Sequence, residues 1–177
     1  ANPLETALSL ARRGFHIFPL AAGCKTPRKG SHGYEDATDD PAQIRAWFTG
    51  GNANVAIRCD SVGGRPIFAL DVDGPEGAAN LAYLEDKNGA LPQTLTNITR
   101  RGKHLIFHAL EPVGISASKV ASHLDVRGHD GYVVAPGSDV GGHRYHFEDP
   151  GAFLMMRRPP RSTRQSTLFP YTTPFRP

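Results

Sequence analysis

Apolar residues near the start of the chain recur first at helical and then at strand-like spacing. Leu4, Ala7, Leu8 and Ala11 repeat at intervals of three and four, which predicts a helix ending at Arg13, before Gly14. Asn2-Pro3-x-Glu5 supplies its start: a capping side chain, a proline at the first helical position and an acid in the first turn. Phe15 to Leu20 is apolar and aromatic enough for a buried strand, and a polar loop from Ala21 to Thr38 follows, carrying Lys25, Arg28 and Lys29. Asp40-Pro41 caps a second short helix whose Ile44, Trp47 and Phe48 share a face, so Trp47 reads as core.

Beyond this point strands predominate. Asn54 to Arg58 and Pro66 to Val72 read as strands bracketing a turn at Ser61 to Gly64, and Glu76 to Lys87 reads as a helix ended by Asn88-Gly89. Thr94 to Thr99 and His104 to Ala109 predict a hairpin across Arg100 to Lys103. Short strands near His123 to Val126, Tyr132 to Val134 and Arg144 to Phe147 complete the pattern. Hairpins outnumber crossovers, which predicts an α+β domain with a largely antiparallel sheet and flanking helices packed on one side.

The end of the chain departs from this pattern. From Met155 it reads Met-Met-Arg-Arg-Pro-Pro-Arg-Ser-Thr and then, past Arg164-Gln165-Ser166, Thr-Leu-Phe-Pro-Tyr-Thr-Thr-Pro-Phe-Arg-Pro. This resembles a translated sequencing adapter with an index at 164–166, so residues 155–177 are expected to be a non-native, disordered tail and residues 1–154 the domain. The tail holds five arginines and no acid. Without it, 15 basic groups face 17 acidic ones, and the net charge moves from +3 to −2. A nucleic-acid partner must therefore be argued from local patches rather than from whole-chain charge. The chain opens without Met and ends in that tail, so it reads as a fragment of a longer protein. No apolar run is long enough to span a membrane. Cys24 and Cys59 are too few and too far apart for a metal knuckle, and they read as buried hydrophobes in a reduced, cytoplasmic setting.

The chemistry centres on Ile67-Phe68-Ala69-Leu70-Asp71-Val72-Asp73-Gly74. Alternation along a strand would point Asp71 and Asp73 the same way, and two carboxylates that close call for a neutralising partner. Two readings stand at this point: half of a site for a hard divalent cation, or a strand-ending turn whose carboxylates accept from backbone donors. His104 opens an alternating strand after Arg100-Arg101-Gly102-Lys103, with Leu105 and Phe107 facing the other way. Asp125 in Leu124-Asp125-Val126-Arg127-Gly128 is a third carboxylate between apolar neighbours, costly to bury unpaired. A metal shared with Asp71 and Asp73 would relieve that cost. An all-carboxylate site with a nearby His and several cations suits phosphoryl chemistry. His143 and His146 read as exposed, and His108 and His123 have no assigned role.

These motifs, in this order, resemble the bifunctional primase/polymerase domains of phages, plasmids and bacterial mobile elements, within the archaeo-eukaryotic primase superfamily. The residues concerned are Leu70-Asp71-Val72-Asp73, Gly102-Lys103-His104 and Leu124-Asp125. Phe18-Pro19-Leu20 with Lys25 and Pro27, Asp36-Ala37-Thr38, and Gly131-Tyr132-Val133-Val134-Ala135-Pro136 match the flanks. The resemblance implies a primase-like catalytic core in which Asp71, Asp73 and Asp125 bind Mg²⁺ or Mn²⁺ and His104 contacts the nucleotide's phosphates. Lys25, Arg101, Lys103 and Arg127 would contact phosphates or a single-stranded DNA template, with nucleoside triphosphates as substrates and a helicase as a further partner. Arg100-Arg101-Gly102-Lys103 departs from the family, which commonly has Ser or Thr with paired glycines there. Two alternatives stay open: a phosphatase of the haloacid dehalogenase type, which shares Asp-x-Asp-Gly, and an inactive nucleic-acid-binding replication module.

Overall fold

The structure, a computed structural model, describes residues 2–149; the tail expected from Met155 lies outside them. Elements follow in the order α1 (Pro3–Arg12), β1 (Phe15–Leu20), a 3-10 turn (Gly33–Asp36), α2 (Pro41–Phe48), β2 (Asn54–Val62), β3 (Arg65–Val72) and α3 (Gly74–Asn88). Then come β4 (Leu95–Ile98), β5 (Lys103–His108), β6 (Ser116–Ala121), β7 (Leu124–Arg127), β8 (Tyr132–Val134), β9 (Asp139–Val140), β10 (His143–Arg144) and β11 (His146–Phe147). The α+β architecture with an antiparallel sheet is as the sequence predicts.

Helix starts are set locally. Asn2 Oδ1 accepts from the Glu5 amide at 2.9 Å while Glu5 Oε2 accepts from the Asn2 amide at 3.2 Å, a reciprocal cap that satisfies two otherwise orphaned donors. Asp40 caps α2 by accepting from the Ala42 amide at 3.0 Å. Gly14, at φ +93, provides the left-handed residue that ends α1.

Among the described residues, nine strands join one antiparallel sheet that forks. The β2–β3 hairpin holds the two branches together at Ser61–Val62 and Arg65–Pro66. On one branch β2 pairs with β1 and β8; on the other, β3 pairs with β5 and β7, and β4, β11 and β6 extend it outward. β9 and β10 pair separately, so the strand predicted over 144–147 is divided between two sheets by the buried Tyr145.

The helices cover both faces, contrary to the one-sided packing that the sequence suggests. Ile67 and Ala69 of β3 join Ala7, Leu10, Phe15, Ile17, Ile44 and Ile57 in a core under α1 and α2. Phe68, Leu70 and Val72, alternating with them, pack with Leu81 of α3, Leu105, Phe107, Leu124 and Val126 on the other face. The reason lies in β3 itself: Ile67 to Leu70 is a continuous apolar run, which marks a strand buried on both sides. Ile67, Phe68 and Leu70 each contribute about 1.5–3 kcal/mol on burial.

Gly102 is required by close approach. A Cβ there would lie 1.9 Å from the Val72 carbonyl oxygen, at the point where the β4–β5 turn crosses the end of β3. Gly102→Ala should therefore cost about 1–3 kcal/mol in urea denaturation. Gly114→Ala, where nothing lies within 4 Å, should stay within about 0.5 kcal/mol of the parent.

Candidate functional site

Antiparallel pairing builds the site one residue from each strand. Asp71 is opposite His104 on β5 and opposite Asp125 on β7, and His104 is in turn opposite Asn97 on β4. Residues directly opposite share a face. A polar row, Asn97, His104, Asp71 and Asp125, therefore crosses four strands at the rim of the core begun by Ile67 and Ala69. Arg127, two residues beyond Asp125, lies on the same face.

The Arg127 guanidinium joins the two carboxylates. Its Nη2 lies 3.1 Å from Asp125 Oδ2 and 3.4 Å from Asp71 Oδ2. Asp125 Oδ1 also accepts from the Ser118 amide at 2.8 Å. His104 Nε2 lies 3.6 Å from Asp71 Oδ1, and its Nδ1 lies 3.3 Å from the side-chain nitrogen of Asn97. Burial pushes the His104 imidazole down from 6.5 to about 4; the Asp71 carboxylate opposes that shift, and Lys25 and Arg127 reinforce it. His104 is therefore neutral at physiological pH.

A cleft of about 320 Å³ opens over the middle of this row, at Asp71 and His104. Asp71, His104 and Arg127 line one side, and Tyr34, Tyr132, Val134, Tyr145, Lys25 and the half-exposed Ile115 line the rest. The Tyr132 hydroxyl donates to the Lys25 carbonyl at 3.1 Å, which fastens the Lys25 loop to β8. The 21–38 loop thus reaches the cleft through Lys25 and Tyr34, whereas its Arg28 and Lys29 line a separate pocket. Tyr34, Tyr145 and Asn97 carry no motif that marks them in the sequence, whereas Tyr132 lies in the Gly131–Pro136 stretch already singled out there. Asn97 has one legible signal: once the β4–β5 hairpin is registered across its turn, a polar residue inside a strand faces His104.

The remaining expected residues are placed differently. Asp73 follows the last residue of β3 and makes no capping bond to α3; its carboxylate lies 3.6 Å from Arg101 and 3.7 Å from His123, whose other nitrogen is 3.2 Å from Glu76. Gly74 takes φ +70 directly after it, against the Arg101 side chain. Lys103 alternates with His104 and so belongs to the α3 face of β5, away from the row. Cys59 is buried, its thiol pushed up to about 12 chiefly by burial, whereas Cys24 is exposed rather than buried as expected. His143 and His146 are exposed, as expected.

Asp71 and Asp125 offer hard oxygen donors suited to Mg²⁺ or Mn²⁺. One nitrogen of Arg127 already stands within 3.4 Å of an oxygen from each, so the pair converges on a single cationic centre. Among the described residues, no group of three His, Cys, Asp or Glu stands close enough to hold a metal ion. Two of the three expected ligands are thus together, and the third is turned to Arg101 and His123. No helix among the described residues is long and apolar enough to cross a membrane.

A family model described as bifunctional DNA primase/polymerase, N-terminal, matches residues 7–163, from the first helix through the last described strand. No curated protein matches the chain.

The depressed His104 pKa has a consequence for stability. Between pH 6.5 and 4 the unfolded chain binds a proton at this residue and the folded chain does not, so stability is lost as pH falls through that window. In chelator, urea denaturation should show a loss approaching about 3 kcal/mol between pH 7 and pH 4 from this group. His104→Gln should flatten that part of the profile.

Proposed function

We propose, since the chain belongs to the bifunctional DNA primase/polymerase N-terminal family, that the cleft lined by Asp71, His104 and Arg127, with Asp125 beside them, is a nucleotidyl-transfer site which makes or extends primers on a single-stranded DNA template. The observation that carries this reading is the convergence of Asp71 and Asp125, from neighbouring strands, on one cationic centre beside a buried neutral histidine.

On this reading Asp71 and Asp125 hold Mg²⁺ or Mn²⁺, and Asp73 completes the set by leaving Arg101 and His123. When bound, the metal neutralises charge on the triphosphate and activates the attacking hydroxyl. The chain's own groups supply the rest. Arg127, released from the carboxylates, is a planar fork of donors suited to phosphate oxygens. His104, neutral and largely desolvated, donates a hydrogen bond without adding charge. Lys25, at the mouth, attracts the triphosphate or the template backbone, and Arg101, exposed beside Asp73, does the same at the strand's end. The reaction joins a primer hydroxyl oxygen to the α-phosphorus of a nucleoside triphosphate, breaks the bond from that phosphorus to the bridging oxygen, and releases pyrophosphate. The proton of the hydroxyl leaves to solvent. No observation favours the phosphatase reading, whereas the family match favours nucleotidyl transfer.

Incubating the full chain with a single-stranded template, labelled ribo- and deoxyribonucleotides and Mg²⁺ or Mn²⁺ should give template-dependent products that vanish on chelation. Asp71→Ala and Asp125→Asn should each reduce incorporation by more than the roughly 10–100-fold that loss of an outer-shell partner costs. Unchanged polymerisation by Asp71→Ala would sink the assignment, and template binding without incorporation would identify an inactive binding module.

A further inference from the structure

Asn97 is fully buried on β4, where an amide is expensive unless its hydrogen bonds are made. Its side-chain nitrogen donates to the Val134 carbonyl of β8 at 2.9 Å, and the same nitrogen lies 3.3 Å from His104 Nδ1. A carbonyl oxygen only accepts, so the amide must turn its NH₂ end toward Val134. The second hydrogen of that NH₂ group then meets Nδ1, which has to accept. A neutral imidazole carries one proton, and with Nδ1 accepting, that proton sits on Nε2, the nitrogen 3.6 Å from Asp71 Oδ1. Asn97 Oδ1 has no hydrogen-bond partner. A buried amide with an unpartnered oxygen costs stability, and its two N–H bonds account for its presence: one anchors β8, the other orients His104.

We infer that Asn97 is a positioning residue which holds His104 in the tautomer protonated at Nε2, so that an N–H donor faces the cleft and its phosphate-bearing substrate. The inference about substrate rests on the nucleotidyl-transfer reading; the inference about the tautomer does not. The carbonyl of Val134 belongs to the strand that also carries Tyr132, so one amide couples the far wall of the cleft to the orientation of its histidine.

Long-range proton–nitrogen correlation spectra of the ¹⁵N-labelled full chain, at neutral pH with chelator, test this directly, with His104 assigned by its loss in His104→Gln. The wild-type protein should show Nε2 protonated and Nδ1 unprotonated. Asn97→Asp, whose carboxylate accepts from the ring, should move a proton onto Nδ1; Asn97→Ser, too short to reach the ring, should show both tautomers. In a parallel measurement with Mn²⁺ present, Asn97→Asp should bind a nucleoside triphosphate about 10- to 100-fold more weakly, the loss of one hydrogen bond to a charged group. A wild-type spectrum with Nδ1 protonated overturns the inference whether or not any variant folds. So does a folded Asn97→Ser protein that keeps Nε2 as its sole protonated nitrogen. A tautomer change with unchanged triphosphate binding upholds the hold of Asn97 on the tautomer but overturns the phosphate contact by His104, whereas a wild-type protein that binds no triphosphate removes the nucleotide reading of the cleft and leaves the tautomer inference standing.

Discussion

The register of β3 between β5 and β7 is the constraint on which the rest of the site depends. It is held by apolar packing on two faces at once, Ile67 and Ala69 toward α1 and α2, Phe68, Leu70 and Val72 toward α3. A slip of one residue would exchange these faces and bury Asp71 against α3, so the core sets the register far more strongly than the site could. With that register, Asp71 falls at the first same-face position beyond the core and meets His104 and Asp125 across two interstrand spaces. The chemistry is thus a continuation of the packing pattern by two residues.

Electrostatics explains why these groups tolerate one another. Two partly buried carboxylates on neighbouring strands repel, and one guanidinium nitrogen of Arg127 between them offsets that repulsion at the cost of desolvating a third charge. His104 adds no charge because burial keeps it neutral. Asp73 is half exposed and sits with Arg101 and His123 outside this balance. The resulting centre has two carboxylates committed to a single cation, and a divalent ion would take over the neutralising role that Arg127 fills.

Features set by neighbouring residues are legible in the sequence itself. The Asn2/Glu5 cap, the Asp40 cap, the apolar run of β3 and the β4–β5 hairpin all follow from residues within one or two turns of each other. So does the order of the three motifs, and the family match over residues 7–163 agrees with the family resemblance drawn from them. What is not legible depends on partners distant in sequence. The placement of α3 opposite α1 and α2 requires knowing that both faces of β3 are covered. The two-way division of 143–147 requires knowing that β9 and β4 each claim part of it. Asp73 shows the limit of alternation: it would share the face of Asp71 if the strand continued, but pairing stops at Val72 and Gly74 turns the chain into α3.

The central claim is that Asp71 and Asp125 form one cation site by virtue of strand register. Titration of Mn²⁺ into the full chain, its Asp71→Asn and Asp125→Asn variants and the double variant measures this as a coupling. Either single substitution should abolish nearly all of the binding that the double substitution abolishes. Independent, additive losses, or Mn²⁺ binding that survives intact in Asp71→Asn, would contradict it.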